Sequence, residues 1–592
     1  MKIEKLRPIL ILVNIVIINW FIIRFIGLDY PFLGHDYSLT IPSLLDTALH
    51  YRLNGLAIQW FTPSFGGGIP AFPNPNNSQF SLLALLSVFL NPWQAVIFFI
   101  VIYVSTGFIA CEYFLHHTLK LNWTTSILGA VFFSANGYII ENATVGHLGY
   151  LNFPLLPIFL ILLLDESLAP PIAAATMGVA LGVIIHLAGY FIIIVFGLSL
   201  LITLPIVYIY DPAFFKWKSW MVILPVGAVI GLVISASKLA AVMAFMRFFP
   251  RSISDYYPTT PLLGLAGLVL QLLGTMNLAP LFQIVGLKPD ILPAIFIAAT
   301  GADYGYWEFD MSITPIVFAI LLTGLYVFFR QPQKYLSKLL HGQKKIAWIL
   351  LALSLWIAVE FTIAKGLIYP LFQHLPILSS LHVNVRFAAA FIFPLVLGAA
   401  LIYNHLPKNQ KTSLVFIAIN ILAVLPLGAY FLFKSDLFYR FYDVRQGQKF
   451  FDQMQSDTSL LDVTKIGIQK DDTQALLNHT SNLNPYDPIF GYNLEYFHPK
   501  ITSGSIWSIS NGYYNMTDPT GYVFPEINDN HPFERFRVAD KDTLALFAKH
   551  IQPAWKIPIY QRILDWVSGS VFVIATGFIA FYFGKRLFFK TS

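Results

Sequence analysis

Charge is what this chain has least of: 11% of its 592 residues are Asp, Glu, Lys or Arg, against 56% hydrophobic. A soluble fold of this length needs far more charge at its surface, and the mean hydropathy of +0.66 is concentrated in long uninterrupted runs. Cysteine is scarcer still. Cys111 is the only one and lies in an apolar segment, so no intrachain disulfide forms and any polar domain must hold itself together by packing. Also missing are a P-loop, a zinc-protease motif, a Gly-rich dinucleotide fingerprint and a usable Ser-His-Asp arrangement. That disfavours a pump powered by its own chain. No internal repeat stands out, which weakens a transporter built from inverted repeats.

What the chain has is apolar length. About twenty apolar residues cross the roughly 30 Å hydrocarbon core, so the pattern predicts a polytopic membrane protein. Spans are read at 8–27, 94–114, 125–141, 148–164, 172–189, 191–209, 219–246, 312–329, 346–364, 385–403, 412–433 and 567–585. The expected fold is therefore all-α with about twelve transmembrane helices, or thirteen to fourteen if 79–90, 261–275 or 289–300 also cross. The net charge of +6 is no nucleic-acid signal. Basic clusters at Lys2–Arg7, Lys216–Lys218, Arg330–Lys345, Lys408–Lys411 and Lys585–Lys590 fall in connections that are cytoplasmic if the chain starts inside. Both termini are then cytoplasmic, and the first span, lacking a small-residue cleavage site, reads as an uncleaved anchor.

Three polar regions fall on the outer side: 28–93, 247–311 and 434–566. The first should hold a surface helix capped by Thr40, with Pro42 in its first turn and Gly55 stopping it, then the loop "TPSFGGGIPAFPNPNNSQF". The third carries most of the acidic residues and alternates in "TKIGIQ" and "GSIWSIS", which reads as a small mixed or β-rich domain before the last helix. The expected division is a membrane module at 1–433, an outer domain at 434–566 and a terminal anchor and tail at 567–592.

Chemistry-bearing residues cluster on that side. Asp36, after His35 and just past the first span, can take a proton from an acceptor hydroxyl or hold a divalent cation. A solvated loop carboxylate is the bland alternative. Glu141 and His147 bracket the next outer loop, and with Asp36 make an acid/base or metal set whose spacing is no ligand signature. Lys238 and Arg247 share a predicted helix and, with Arg251 and Arg386, can grip a lipid phosphate; snorkelling to headgroups competes. Charge at membrane depth is costly, so His186, Lys238 and Glu360 could instead line a solute or lipid path.

The run "DYSLTIPSLLDTALHYRLNGLAIQWFTPSFGGGIPAFPNPNNSQFSLLALLSVFLNPWQAVIFF", followed by "SILGAVFFSANGYIIENATVGHLGYLNFPLLPIFLILLLDES", resembles the amino-terminal half of the GT-C superfamily, closest to the YfhO-like bacterial membrane proteins. The segments "KLAAVMAFMRFFPRSISDYYPTTP", "YWEFDMSITPIVFAILLTGLY" and "LPILSSLHVNVRFAAAFIFP" extend the likeness over residues 1–403. The resemblance implies a GT-C-like architecture in a bacterial inner membrane. It also implies a glycosyltransferase using a polyprenyl-phosphate sugar donor and an envelope acceptor, with Asp36 and Glu141 as the two acids and His147 beside them. No Asp-Asp or Asp-Glu doublet stands in the first loop, so no cofactor is certain and a divalent cation is an open alternative. The competing readings are a transporter or flippase and a non-catalytic envelope-assembly protein.

Overall fold

The computed structural model describes residues 4–27, 36–249, 261–287, 294–295, 297–298, 305–331, 344–364, 366, 368–374, 383–405, 442–457, 461–487, 489 and 500–589. Among them, six helices are long and apolar enough to cross a membrane: Arg7–Arg24, Pro92–Thr118, Tyr190–Tyr210, Trp217–Ile234, Asn384–His405 and Ile559–Arg586. Five shorter apolar helices accompany them, at Leu148–Leu164, Pro170–His186, Ala236–Met246, Leu262–Gly274 and Pro315–Arg330. The chain is an integral membrane protein. The expected span at 412–433 lies outside the described residues, as does most of 289–300.

Asparagine starts the helices of the amino-terminal bundle. α1 (Arg7–Ile26) is followed by α2 (Tyr37–Asn54) and the short α3 (Leu82–Leu86). α4 (Pro92–Tyr113) is capped by Asn91, α5 (Trp123–Ser134) by Asn122 and α6 (Gly137–Val145) by Asn136. In each case the side-chain oxygen accepts from the backbone N–H three residues on, satisfying a donor the helix leaves orphaned. α7 (Leu156–Leu164), α8 (Pro170–His186), α9 (Tyr190–Tyr210) and α10 (Trp217–Ile234) complete the bundle. α8 and α10 pack closely along their lengths. Gly178 and Gly182 on α8 face Ile230 and Ile234, while Gly227 and Gly231 on α10 face Met177 and Leu181. A Cβ at Gly178 or Gly182 would fall 2.4–2.5 Å from those isoleucines, so small residues four apart set the spacing.

Two expected spans are broken. Residues 125–141 do not run as one helix: α5 ends at Ser134, and α6 restarts after Asn136 with Glu141 on it. Residues 219–246 divide at Ser235 into α10 and α11 (Ala236–Met246). The last helix, Ile559–Phe589, docks at that break. Ser568 Oγ accepts from Ser237 N (3.0 Å), Ser237 Oγ donates to Asp565 (2.6 Å) and Gln561 donates to Ser237 O (3.0 Å). The break thus exchanges intrahelical hydrogen bonds for polar contacts to a neighbouring helix. The stretch 261–275 belongs to a helix, Pro261–Ile284, kinked at Gly274, and 79–90 contains only α3.

The polar segment before the last helix is mixed in structure. β3 (Lys465–Gly467) pairs parallel to β4 (Thr480–Asn482) and antiparallel to β5 (Gly504–Ser505), so "TKIGIQ" and "GSIWSIS" do enter strands. A second sheet orders Ile509–Ser510, Tyr513–Thr517 and Arg535–Arg537. It turns at Asn511-Gly512, both at positive φ (55° and 82°), as a tight hairpin requires.

The first polar loop pairs with this segment through its backbone. Its hairpin of β1 (Phe61–Thr62) and β2 (Ile69–Pro70) turns through Gly66, Gly67 and Gly68, all at positive φ. There the backbone crosses to the other segment: Gly66 N donates to Asn482 O (2.6 Å), Asn482 N to Ser64 O (3.1 Å) and Thr517 N to Gly67 O (2.8 Å). A Cβ at Gly68 would lie 2.8 Å from Thr517 O, so the approach demands glycine.

Candidate functional site

Asp36 ends up where two loops and the polar unit meet. α2 starts at Tyr37, earlier than the expected Thr40 cap, and Asp36 occupies the capping position without a side-chain cap bond; Gly55 ends the helix as expected. Tyr37 fixes the entry. Its hydroxyl donates to Ala143 O (2.6 Å), and Gly146, at φ +98°, lets the Tyr37 backbone come so near that a Cβ would lie 2.8 Å from its nitrogen. α6 ends at that same glycine, so His147, next in sequence, is delivered against Asp36.

Asp36 Oδ2 lies 2.8 Å from His147 Nε2, and Asp36 Oδ1 accepts from the Tyr486 hydroxyl at 3.0 Å. His147 Nδ1 is 3.1 Å from Asn142 Oδ1, while Asn142 Nδ2 donates to Tyr138 O (2.7 Å), which turns the amide oxygen toward the ring. The imidazole therefore faces an oxygen acceptor at each nitrogen. The Asp36 side chain keeps 23% of its surface exposed and that of His147 9%, so the carboxylate is the reachable member. A carboxylate so oriented, hydrogen-bonded yet open at one side, can accept a proton from an incoming hydroxyl.

Glu141 does not join them. It lies one turn along α6, 1% exposed, with neither carboxyl oxygen hydrogen-bonded among the described residues. Its electrostatic neighbours are Asp310 and Glu308. Among the described residues no three His, Cys, Asp or Glu side chains gather closely enough to hold a metal ion. The open alternative of a cation on Asp36, Glu141 and His147 therefore does not fit this arrangement: Asp36 and His147 face each other, and Glu141 sits elsewhere.

The cations assigned to phosphate are placed otherwise than expected. Lys238, 1% exposed, donates through Nζ to the carbonyls of Phe72 (2.6 Å), Asn74 (2.8 Å) and Asn77 (3.0 Å). Its three protons are used, so it ties the first loop to α11 and has none left for a ligand. Arg386 grips both carboxyl oxygens of Glu308 through Nε and Nη2, donates from Nη1 to the Tyr150 hydroxyl (2.5 Å) and lies over the Tyr150 ring. Tyr150 in turn packs edge-on to His147, which joins this ion pair to the Asp36 cluster. Arg247 is half exposed and pairs with Glu526 (3.0 and 3.1 Å). His35 and Arg251 lie outside the described residues. Of the groups named for the alternative polar path, Lys238 bonds three carbonyls, Glu360 accepts from Gly366 N and Ile368 N, and His186 meets Phe80 edge-on with Lys238 as an electrostatic neighbour.

Tyr486, Asn142, Tyr150 and Glu308 escaped the sequence reading. Asn142 adjoins Glu141 in the loop already singled out, and Glu308 stands in "YGYWEFD", a cue left unused. Tyr486 offers no local cue, since 450 positions separate it from Asp36.

No protein-family model and no curated protein matches the chain. Among solved structures, it is similar to the arabinofuranosyltransferase AftD from mycobacteria, with 14% identity and a TM-score of 0.41. That match covers 82% of this chain and 31% of the AftD chain, so the protein spans less than a third of that relative. It is also similar to ArnT from Cupriavidus metallidurans, whose structure was solved bound to undecaprenyl phosphate. There the identity is 14%, the TM-score 0.37, and the coverage 80% of this chain and 84% of that one. Neither likeness assigns an activity to this chain.

Proposed function

We propose that the chain is a GT-C-type membrane glycosyltransferase, moving a sugar from a polyprenyl-phosphate donor to an envelope acceptor on the outer face of a bacterial inner membrane. The observation that carries this reading is the Asp36–His147 contact with Tyr486 on the second carboxylate oxygen. In the reaction the Asp36 carboxylate takes the acceptor's hydroxyl proton, and that oxygen bonds to the anomeric carbon. The bond from this carbon to the phosphate oxygen breaks, and the polyprenyl phosphate leaves with the electron pair. A single displacement inverts the anomeric configuration.

His147 and Tyr486 position the carboxylate, a preorganisation that needs no rearrangement during reaction. Of the described cations, Arg247 suits the donor phosphate best. Its exposed pair with Glu526 costs little to exchange, whereas Lys238 and Arg386 hold partners they cannot release cheaply. The decisive experiment replaces the gene with an Asp36→Asn allele and profiles envelope glycans by mass spectrometry. A glycan substituent lost both in the deletion and in the folded, inserted variant is expected. Transfer at the wild-type rate in Asp36→Asn rules the role out, and an unchanged glycan profile in the deletion rules out the transferase.

A further inference from the structure

A pocket opens between α2, one turn beyond Asp36, and the first polar loop. It is lined by Leu39 and Ser43 from the helix, by Phe65, Asn76 and Asn77 from the loop, and by Asp487. Asp36, Leu39, Ser43 and Asp46 recur at helical spacing, so they share one stripe of α2. Seven residues of helix, roughly 10 Å, separate Asp36 from Ser43. The opposite wall also leads to Asp36, because Tyr486, which bonds it, immediately precedes Asp487.

The lining selects a ligand class. Among the described residues it contains no Lys, Arg or His, and its acidic members are Asp46 and Asp487, which disfavours a phosphate. Asp46 is already satisfied by Gln59 (2.6 Å), Thr62 (2.9 Å) and Ser64 (2.5 Å) and forms a fixed floor. Asn74 Nδ2 donates to Asp487 Oδ2 (2.8 Å) and ties the two walls together. The Ser43 hydroxyl, the Asn76 side-chain amide and the Asn77 Nδ2 have no hydrogen-bond partner among the described residues, although Asn76 N donates to Asn74 Oδ1 and Asn77 Oδ1 accepts from Gln79 N. Lys238 holds the turn that presents these amides, through the carbonyls of Asn74 and Asn77. Hydroxyl and amide groups lining one pocket with an aromatic side chain, and with no cation among the described lining residues, match a neutral polyhydroxylated ring.

We infer that this pocket is the acceptor subsite and takes a neutral sugar, which presents a hydroxyl toward Asp36. The inference rests on the transferase reading, and its test separates the two. The full chain is purified in a detergent without a sugar headgroup, because a maltoside would compete. Glucose, galactose, N-acetylglucosamine and arabinose are then tested by saturation-transfer NMR, with farnesyl phosphate as the anionic probe.

At least one sugar is expected to bind. Ser43→Trp, which fills the pocket, should weaken it tenfold or more and Asn76→Ala severalfold, with farnesyl phosphate binding unchanged in both. If Ser43→Trp does not fold, Asn76→Ala decides. No binding by any of the four sugars, or equal binding to wild type and the folded variants, overturns the subsite. Sugar binding lost in the variants while the deletion leaves envelope glycans intact upholds the pocket and overturns the transferase. Transfer abolished by Asp36→Asn but indifferent to Ser43→Trp upholds the transferase and overturns the pocket.

Discussion

In the helix bundle α8 and α10 touch through glycines and isoleucines, and nothing polar is needed between them. In the unit built from residues 58–77 and the strands of 465–537, backbone amides and buried side-chain amides make the contacts. A bundle in lipid gains nothing from burying apolar surface against apolar lipid, so shape fit decides its packing. A polar unit without disulfides must instead satisfy every buried donor and acceptor, which makes it specific but sensitive to single losses. Lys238 stands where the two regimes join, and Gly68 where the two segments of the polar unit cross.

The largest effect is expected at Lys238. Lys238→Met keeps the stem but strands the carbonyls of Phe72, Asn74 and Asn77, costing on the order of 3 kcal/mol. The loop 71–77 should become susceptible to limited proteolysis while the bundle resists. Gly68→Val follows, at about 2 kcal/mol or more, because a side chain at φ +107° must also displace Thr517 O. Its signature would be a lowered first thermal transition with unchanged helix content by circular dichroism.

A smaller and pH-dependent effect is expected at Asp472. Burial pushes its carboxyl up to about 7, despite donation from Asn482 (2.6 Å) and from Tyr486 N (3.0 Å). Between about pH 4 and 7 the folded protein holds a proton that the unfolded chain has lost, so this group's stabilisation drains away as pH rises through 7. Wild type should therefore gain on Asp472→Asn by a few degrees in melting temperature on going from pH 8 to pH 4.5. Parallel melting curves for the two proteins would contradict this. The smallest effect belongs to Arg247→Ala, which removes an exposed ion pair with Glu526 and should change stability by about 1 kcal/mol or less. A larger loss in chemical denaturation would mean that this contact, and not the Lys238 tie, holds the unit to the bundle.

Much of the architecture is legible locally. The first span, the stop at Gly55 and the strand character of "TKIGIQ" follow from nearby residues, whereas the sidedness of the loops brought Asp36 and His147 only to one face and their contact needed the fold. The breaks at Ala135–Asn136 and at Ser235 were hidden inside continuous apolar runs, since hydropathy measures length and not helix continuity. Asn136, a good capping residue followed by glycine, was the readable cue for the first. For the second, polar partners on a helix more than 300 positions away made the break affordable, and no local signal encodes them.

The sequence alone determined that this chain enters a membrane, how its polar segments are spaced, and that a carboxylate and an imidazole follow neighbouring spans. Those properties depend on apolar length and charge placement, which are written residue by residue. Only the tertiary structure decided that Lys238 is spent on carbonyls, that Arg386 answers Glu308, and that Tyr486 completes the surroundings of Asp36. A charged group takes whichever partner packing brings within reach once it leaves water, and chain distance has no say in that choice.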